Sequence, residues 1–249
     1  MPYAQNDGTN IHYVVEGTGP ALVLQHGFTQ SVEDWFECGY VAPLRAKFQL
    51  ILIDARGHGK SDKPHDAEAY TLQKRAADVT CVLDALGVAR AHFWGYSMGG
   101  YIAFGLAQYA PDRIEKLIIG GQHAFAAERS GQRRWLRYGM REGPEALIKA
   151  FESTNGPIRA SYSARMGAAD LQVWLAMAVD RNGIEDMLGK MQMPCCVYAG
   201  DADPEFSNAK ATSDGIPHAS FVALPGLSHM QAFYSSDVVV PEIEKFLAS

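Results

Sequence analysis

The stretch FWGYSMGGY, residues 93–101, sets one serine among three glycines, between two apolar runs. A glycine cluster behind a strand either lets the backbone cradle a phosphate or lets it turn so sharply that one side chain is thrust outward. The phosphate readings fail on residue identity. A P-loop needs lysine directly after its second glycine, and Tyr101 follows Gly100; the dinucleotide fingerprint needs a glycine two residues after Gly95, and that residue is Ser97. Gly95-Tyr96-Ser97-Met98-Gly99 instead fits G-x-S-x-G, in which a serine sits on a strained strand-to-helix turn and small neighbours let the adjoining backbone pass. Its hydroxyl is expected at the carboxyl end of a sheet, where open α/β sheets place their sites.

A serine hydroxyl is a poor nucleophile until a base takes its proton and a third group orients that base. Of the eight histidines, His229 in PGLSHM directly follows the last strand-like run and is expected to reach the same sheet edge. His26 and His58 belong to other motifs, and His12, His65, His92, His123 and His218 have no evident partner in their sequence contexts. For the orienting acid, GDADPEF after VYAG offers Asp201 and Asp203, with Glu205 as an outsider. Local reasoning leaves the two aspartates level, and whichever is unused suits a turn or a helix cap. Charge developing on an attacked carbonyl needs backbone N–H donors. Met98, at a helix start, supplies one, and Phe28 in the early loop His26-Gly27-Phe28 supplies the other.

These groups need a scaffold, and the pattern along the chain describes one. NIHYVVEG (10–17) alternates as an edge strand does, while ALVLQHG (21–27) and FQLILID (48–54) read as strands buried on both faces. A helical stretch is expected around 32–47. Residues 71–86 carry apolar positions at helical spacing, opened by Thr71 as N-cap and closed by Gly87. AHFWGY (91–96) reads as strand, MGGYIAFGLAQYAP as helix ended by Pro111, and KLIIGG (116–121) as strand. Roughly from residue 122 to 190 only helical patterns appear, with breaks at Gly143-Pro144 and Gly156-Pro157. Strands resume at MPCCVYAG (193–200) and ASFVALPG (219–226), before a helix near 237–247. Alternating strand and helix calls for a mostly parallel sheet flanked by helices. The expected division is therefore a core of 1–121 and 191–249, interrupted by an all-helical insertion of 122–190.

The 249 residues suffice for one large α/β domain, and a 47% apolar fraction is ordinary for a soluble globular protein. A net charge of −6, with scattered Lys and Arg, argues against nucleic acid as a partner. Neither a signal-peptide pattern nor an apolar run of membrane-spanning length is present, so a cytoplasmic protein without membrane attachment is expected. Cys38, Cys81, Cys195 and Cys196 show neither metal-ligand spacing nor a disulfide framework, so reduced thiols, no metal and no cofactor are expected.

Five stretches, HGFTQSVEDW (26–35), DARGHGKSDKP (54–64), GYSMGG (95–100), GDADP (200–204) and GLSHM (226–230), resemble the α/β-hydrolase superfamily in order and spacing across nearly the whole core. The resemblance implies Asp203 as the acid, since family members carry it three residues after the glycine. It also implies that Asp54, Arg56 and His58 brace the loop beside the site, and that the helical insertion is a cap roofing the pocket. Ser97 stands where the superfamily's dehalogenases and epoxide hydrolases use aspartate, which argues against both. Phe28-Thr29-Gln30 and Met230 depart from the carbon–carbon bond hydrolases, and Thr29 departs from the proline frequent in cofactor-free haloperoxidases.

The implied activity is cleavage of a carboxylic ester or lactone of a small, largely apolar substrate through an acyl-enzyme, on Ser97, Asp203 and His229. The alternatives are a hydrolase-derived small-molecule receptor or stress-signalling protein with slow turnover, and a perhydrolase or carbon–carbon bond hydrolase. Phe125, Trp135, Trp174 and Met177 are candidate pocket residues, while Arg133, Arg134, Arg137 or Arg159 could meet a substrate carboxylate, as in a lactonase of dicarboxylic enol-lactones. A homo-oligomer is compatible with all of this.

Overall fold

In a computed structural model, which describes residues 2–249, eight strands form one sheet in the order β1-β2-β4-β3-β5-β6-β7-β8. They are β1 (Tyr3–Asn6), β2 (Thr9–Glu16), β3 (Ala21–Gln25), β4 (Gln49–Ile53), β5 (Ala91–Tyr96), β6 (Ile114–Gly120), β7 (Cys195–Gly200) and β8 (Ser220–Leu224). β1 and β2 form an antiparallel hairpin across Asp7-Gly8, both at positive φ as a tight two-residue turn requires. β2 also runs antiparallel to β4, and every pairing from β4 to β8 is parallel.

A central strand alternates its side chains between two cores. Leu22 and Leu24 of β3 and Leu50 and Leu52 of β4 pack on one face with Trp35, Tyr40 and Phe233. Val23, Ile51 and Ile53 pack on the other with Val79, Ile102 and Phe104. The first face is covered by α1 (Val32–Glu37), α2 (Val41–Leu44) and α11 (Ser236–Ala248), the second by α3 (Leu72–Ala85), α4 (Met98–Tyr109) and α9 (Phe206–Gly215). Thr71 caps α3 as its sequence foretells, accepting from the Lys74 N–H, and Gly87 follows the helix at φ +67°.

The helix expected over 32–47 is two short helices, split where Gly39 takes φ +85°. Two helices went unforeseen, α9 and α10 (His229–Tyr234), so His229 opens a helix rather than standing within a loop. Among the described residues no helix is long and apolar enough to cross a membrane.

Between β6 and β7 the chain leaves the sheet and forms α5 (Ser130–Glu142), α6 (Pro144–Asn155), α7 (Ala160–Gly167), α8 (Leu171–Met177) and a short 3₁₀ turn, Glu185–Lys190. The apolar faces of α5 to α8 share a cluster that includes Leu136, Leu147, Tyr162, Met166 and Trp174 and that Tyr70 and Met230 of the core join. Leu188 of the 3₁₀ turn packs instead in the core under the sheet. The Gly-Pro breaks are helix junctions: Gly143 and Gly156 take φ +94° and +81°, and Pro144 opens α6 where no N–H is needed. The segment is not purely helical. Ala127 and Arg181 exchange two backbone hydrogen bonds of 3.0 and 2.9 Å, closing an antiparallel bridge that ties its beginning to its end.

Candidate active site

The strand order reverses beside β3: the chain steps outward to β4, then returns to β5 on the other side. Such a switch point opens a crevice at the carboxyl ends of the two strands. His26-Gly27-Phe28 leaves β3 there, and Ser97 leaves β5.

Ser97 has φ +52° and ψ −109°, a conformation costly for a residue with a side chain and held only by its surroundings. Its N–H donates to Gly120 O over 2.8 Å, and its carbonyl accepts from Tyr101 N and from the Gln122 amide, at 3.0 and 2.8 Å. The flanking glycines are required by contact. A Cβ on Gly95 would lie 2.1 Å from Gly99 O, and one on Gly99 would lie 2.1 Å from Gln25 O, so neither helix nor neighbouring strand could hold its place.

The Phe28 turn is braced from three directions. The Gly27 N–H donates to Gln30 Oε1 at 2.7 Å, while its carbonyl accepts from His26 Nδ1 at 2.8 Å. His26 Nε2 in turn accepts from Ala55 N at 3.0 Å, so the ring works as a neutral imidazole, and burial lowers its pKa accordingly. From above, the Tyr162 hydroxyl of α7 hydrogen-bonds Thr29 Oγ1, linking the helical segment to the turn. The N–H groups of Phe28 and Met98 have no acceptor among the described residues.

Of the two aspartates after β7, Asp203 meets the histidine: His229 Nδ1 donates to its Oδ2 over 2.6 Å. Its Oδ1 accepts from Glu205 N at 3.0 Å. Burial opposes ionisation of Asp203, but the hydrogen bond and charge of His229 and the Glu205 N–H outweigh it, holding the carboxyl below the usual range. Asp201 instead accepts from Gly226 N at 2.6 Å and ties one exposed loop to another. The His229 ring packs 5.3 Å from that of Tyr96, whose hydroxyl donates to the His229 carbonyl. Gly121 lets the ring in, since a Cβ there would stand 3.0 Å from its Cε1. Ser97 Oγ makes no hydrogen bond to His229 among the described residues; such contacts commonly tighten only once a substrate is bound.

The D-x-R-G stretch holds its own loop. Asp54 accepts from the N–H groups of Val32 and Lys60 and from His12 Nδ1, at 2.9, 3.0 and 2.7 Å, which gives His12 the partner its sequence context did not reveal. Arg56 pairs with Asp78, and His58 Nδ1 donates to Arg56 O at 3.3 Å. Burial, with His26 close by, drives the His58 pKa well down.

A cavity of about 500 Å³ opens beside Ser97, lined among others by Phe28, Met98 and Met177. Three other expected pocket residues lie elsewhere. Trp174 packs 5.2 Å from Phe28 but faces a second, smaller cavity; Trp135 spends its indole N–H on Leu147 O; Phe125 stacks on His123. The lining mixes charged and polar groups with the apolar ones. Arg75, Arg129 and Arg181 line the wall with Gln122, Tyr70 and Tyr101. The arginines suspected from sequence are not there: Arg133 pairs with Asp180, Arg134 and Arg137 are exposed on α5, and Arg159 sits over Tyr234. Arg181 was missed because only the Ala127 bridge, invisible locally, carries it to the wall.

Residues 20–173 match the family model of the alpha/beta hydrolase fold. Over 109 residues, 43% of this chain, the sequence is 35% identical to the bifunctional epoxide hydrolase 2 of Sus scrofa, of which the match spans only 19%. The fold is similar over 100% of both chains to the solved enol-lactonase from Burkholderia xenovorans LB400, with a TM-score of 0.88 and 25% identity. It is also similar to the esterase RhEst1 from Rhodococcus sp. ECU1013, with a TM-score of 0.85 and 27% identity, covering 99% of this chain and 98% of that one.

Proposed function

Since the chain belongs to the alpha/beta hydrolase fold family, we propose that it is a serine hydrolase cleaving a carboxylic ester or lactone through an acyl-enzyme. The observation that carries this is the strained Ser97 turn at the switch point, beside a histidine already hydrogen-bonded to a buried carboxylate. Neighbours in fold that are themselves an esterase and an enol-lactonase support the bond type.

His229 Nε2 takes the proton of Ser97 Oγ as the oxygen attacks the ester carbonyl. The N–H groups of Phe28 and Met98 receive the oxyanion, having no acceptor of their own to give up. His229 returns the proton to the leaving alkoxide, then activates water to cleave the acyl-serine. Asp203 keeps the Nδ1–H tautomer and supports the imidazolium. In this reading the helices between β6 and β7 are the cap, and the Tyr162–Thr29 hydrogen bond couples the cap to the oxyanion turn.

Steady-state hydrolysis of p-nitrophenyl esters, from acetate to longer acyl chains, tests the proposal. Ser97→Ala should lower kcat by about 10⁴-fold or more with the fold intact. Ester turnover that persists in that variant overturns the assignment.

A further inference from the structure

The cavity beside Ser97 holds more positive charge than its own walls neutralise. None of Arg75, Arg129 and Arg181 forms a salt bridge among the described residues. The one acid in the lining, Asp180, is taken: its Oδ1 accepts from Arg129 N and Arg133 Nη1 at 2.6 and 2.8 Å, and its Oδ2 from Arg133 Nη2 at 3.2 Å.

Arg181 is the least satisfied of the three. Its guanidinium lies 4.4 Å over the Tyr101 ring, and Nη2 donates to Gln122 Oε1 at 3.2 Å. Nε and Nη1 are buried with no acceptor. Burial, reinforced by Arg129 nearby, pushes its pKa down to about 10, so the group stays charged at neutral pH but is held in a poorly compensating environment. Buried charge without a partner is costly, and proteins keep it where a ligand completes it. Arg75 is also buried, its pKa brought to about 10 by burial, and its Nε donates to Tyr70 O at 3.0 Å.

Position ties this charge to the reaction. The Gln122 amide donates to the Ser97 carbonyl at 2.8 Å through Nε2 and accepts from Arg181 through Oε1. One glutamine side chain therefore separates the guanidinium from the serine's backbone. Resting on the hydrolase reading above, we infer that the substrate is an anionic ester or lactone whose carboxylate, a few carbons from the scissile carbonyl, binds Arg181, with Arg75 and Arg129 adding field. The carboxylate supplies the negative charge that the wall lacks, and the short link places the carbonyl at Ser97.

The test compares mono-p-nitrophenyl glutarate with p-nitrophenyl valerate, matched in chain length and differing in the terminal carboxylate. The native protein should favour the anionic ester in kcat/KM by about tenfold or more, and added salt should erode the preference. Arg181→Gln should lower the anionic-to-neutral ratio by about tenfold or more, chiefly through KM, and Arg181→Lys should restore part of it. An unchanged ratio in Arg181→Gln, or a native preference for valerate, overturns the inference. Glutarate binding to Ser97→Ala, followed by calorimetry, reads the arginines without the chemistry. Binding that Arg181→Gln abolishes supports the site even if no ester is turned over, in which case only the hydrolase reading falls. Binding that survives Arg181→Gln, or no glutarate binding at all, overturns the site.

Discussion

Asp203 and His229 join the ends of two neighbouring strands, β7 and β8, through one hydrogen bond of 2.6 Å between Oδ2 and Nδ1. In the proposed mechanism Nδ1 carries the proton toward Asp203 and Nε2 accepts one from Ser97. An amide in place of the carboxylate can keep the shape while losing both the preferred tautomer and the stabilisation of the imidazolium.

Asp203→Asn should therefore lower kcat on a p-nitrophenyl ester by about 10³–10⁴-fold, with KM changed little. Asp201→Asn retains an oxygen acceptor for Gly226 N and should leave kcat within about twofold, since exposed loop positions rarely transmit large effects. Equal losses in the two variants would remove Asp203 from the orienting role.

How far these features could be read from the sequence depends on how local their causes are. The Ser97 turn was legible because its constraint is written within five residues: Gly95 and Gly99 are glycines because a single added carbon would strike backbone. Helix α3 was legible because Thr71, the apolar spacing and Gly87 mark its start, face and stop. The choice of Asp203 over Asp201 is not written locally: only family resemblance implies Asp203, whose Oδ2 lies 2.6 Å from His229 Nδ1 across two loops. Helix α10 has only six residues, too few for a periodic pattern, so its start at His229 went unread. The arginine wall was illegible for a different reason. Arg75 sits on α3, Arg129 just before α5 and Arg181 after α8, and only the tertiary fold gathers them.

Acidification from neutral pH should weaken the fold through its buried histidines. His26 and His58 are buried and neutral, and burial lowers both pKa values below the ordinary 6.5. The unfolded chain takes up their protons near that value while the folded chain refuses them. Below pH 6.5 the unfolded state thus binds more protons, and stability falls as pH falls. The limiting slope is about 1.4 kcal/mol per pH unit for each histidine. His92 and His123, less deeply buried and also lowered, add in the same direction. Urea midpoints measured between about pH 7 and about pH 5 should show the decline, with a shallower slope in His58→Asn. A flat profile across that window would mean that the two rings accept protons in the folded state.

The Arg56–Asp78 pair offers a last test, because it separates bracing from chemistry within the motif beside the site. Arg56 Nε and Nη2 donate to the two Asp78 oxygens at 2.6 and 2.5 Å, and the side chains are only 2% and 4% exposed. Removing the carboxylate strands a buried guanidinium, which retains only its 2.6 Å bond to Ala69 O. Asp78→Ala should cost about 3–5 kcal/mol in urea unfolding, whereas Arg56→Met combined with Asp78→Leu should cost less, since no charge is left alone in the core. Both variants, assayed well below their unfolding midpoints, should keep kcat within a few fold, because the pair touches neither Ser97 nor the His229–Asp203 bond. A collapse of kcat at unchanged stability would place Arg56 in the reaction itself rather than in the loop that frames it.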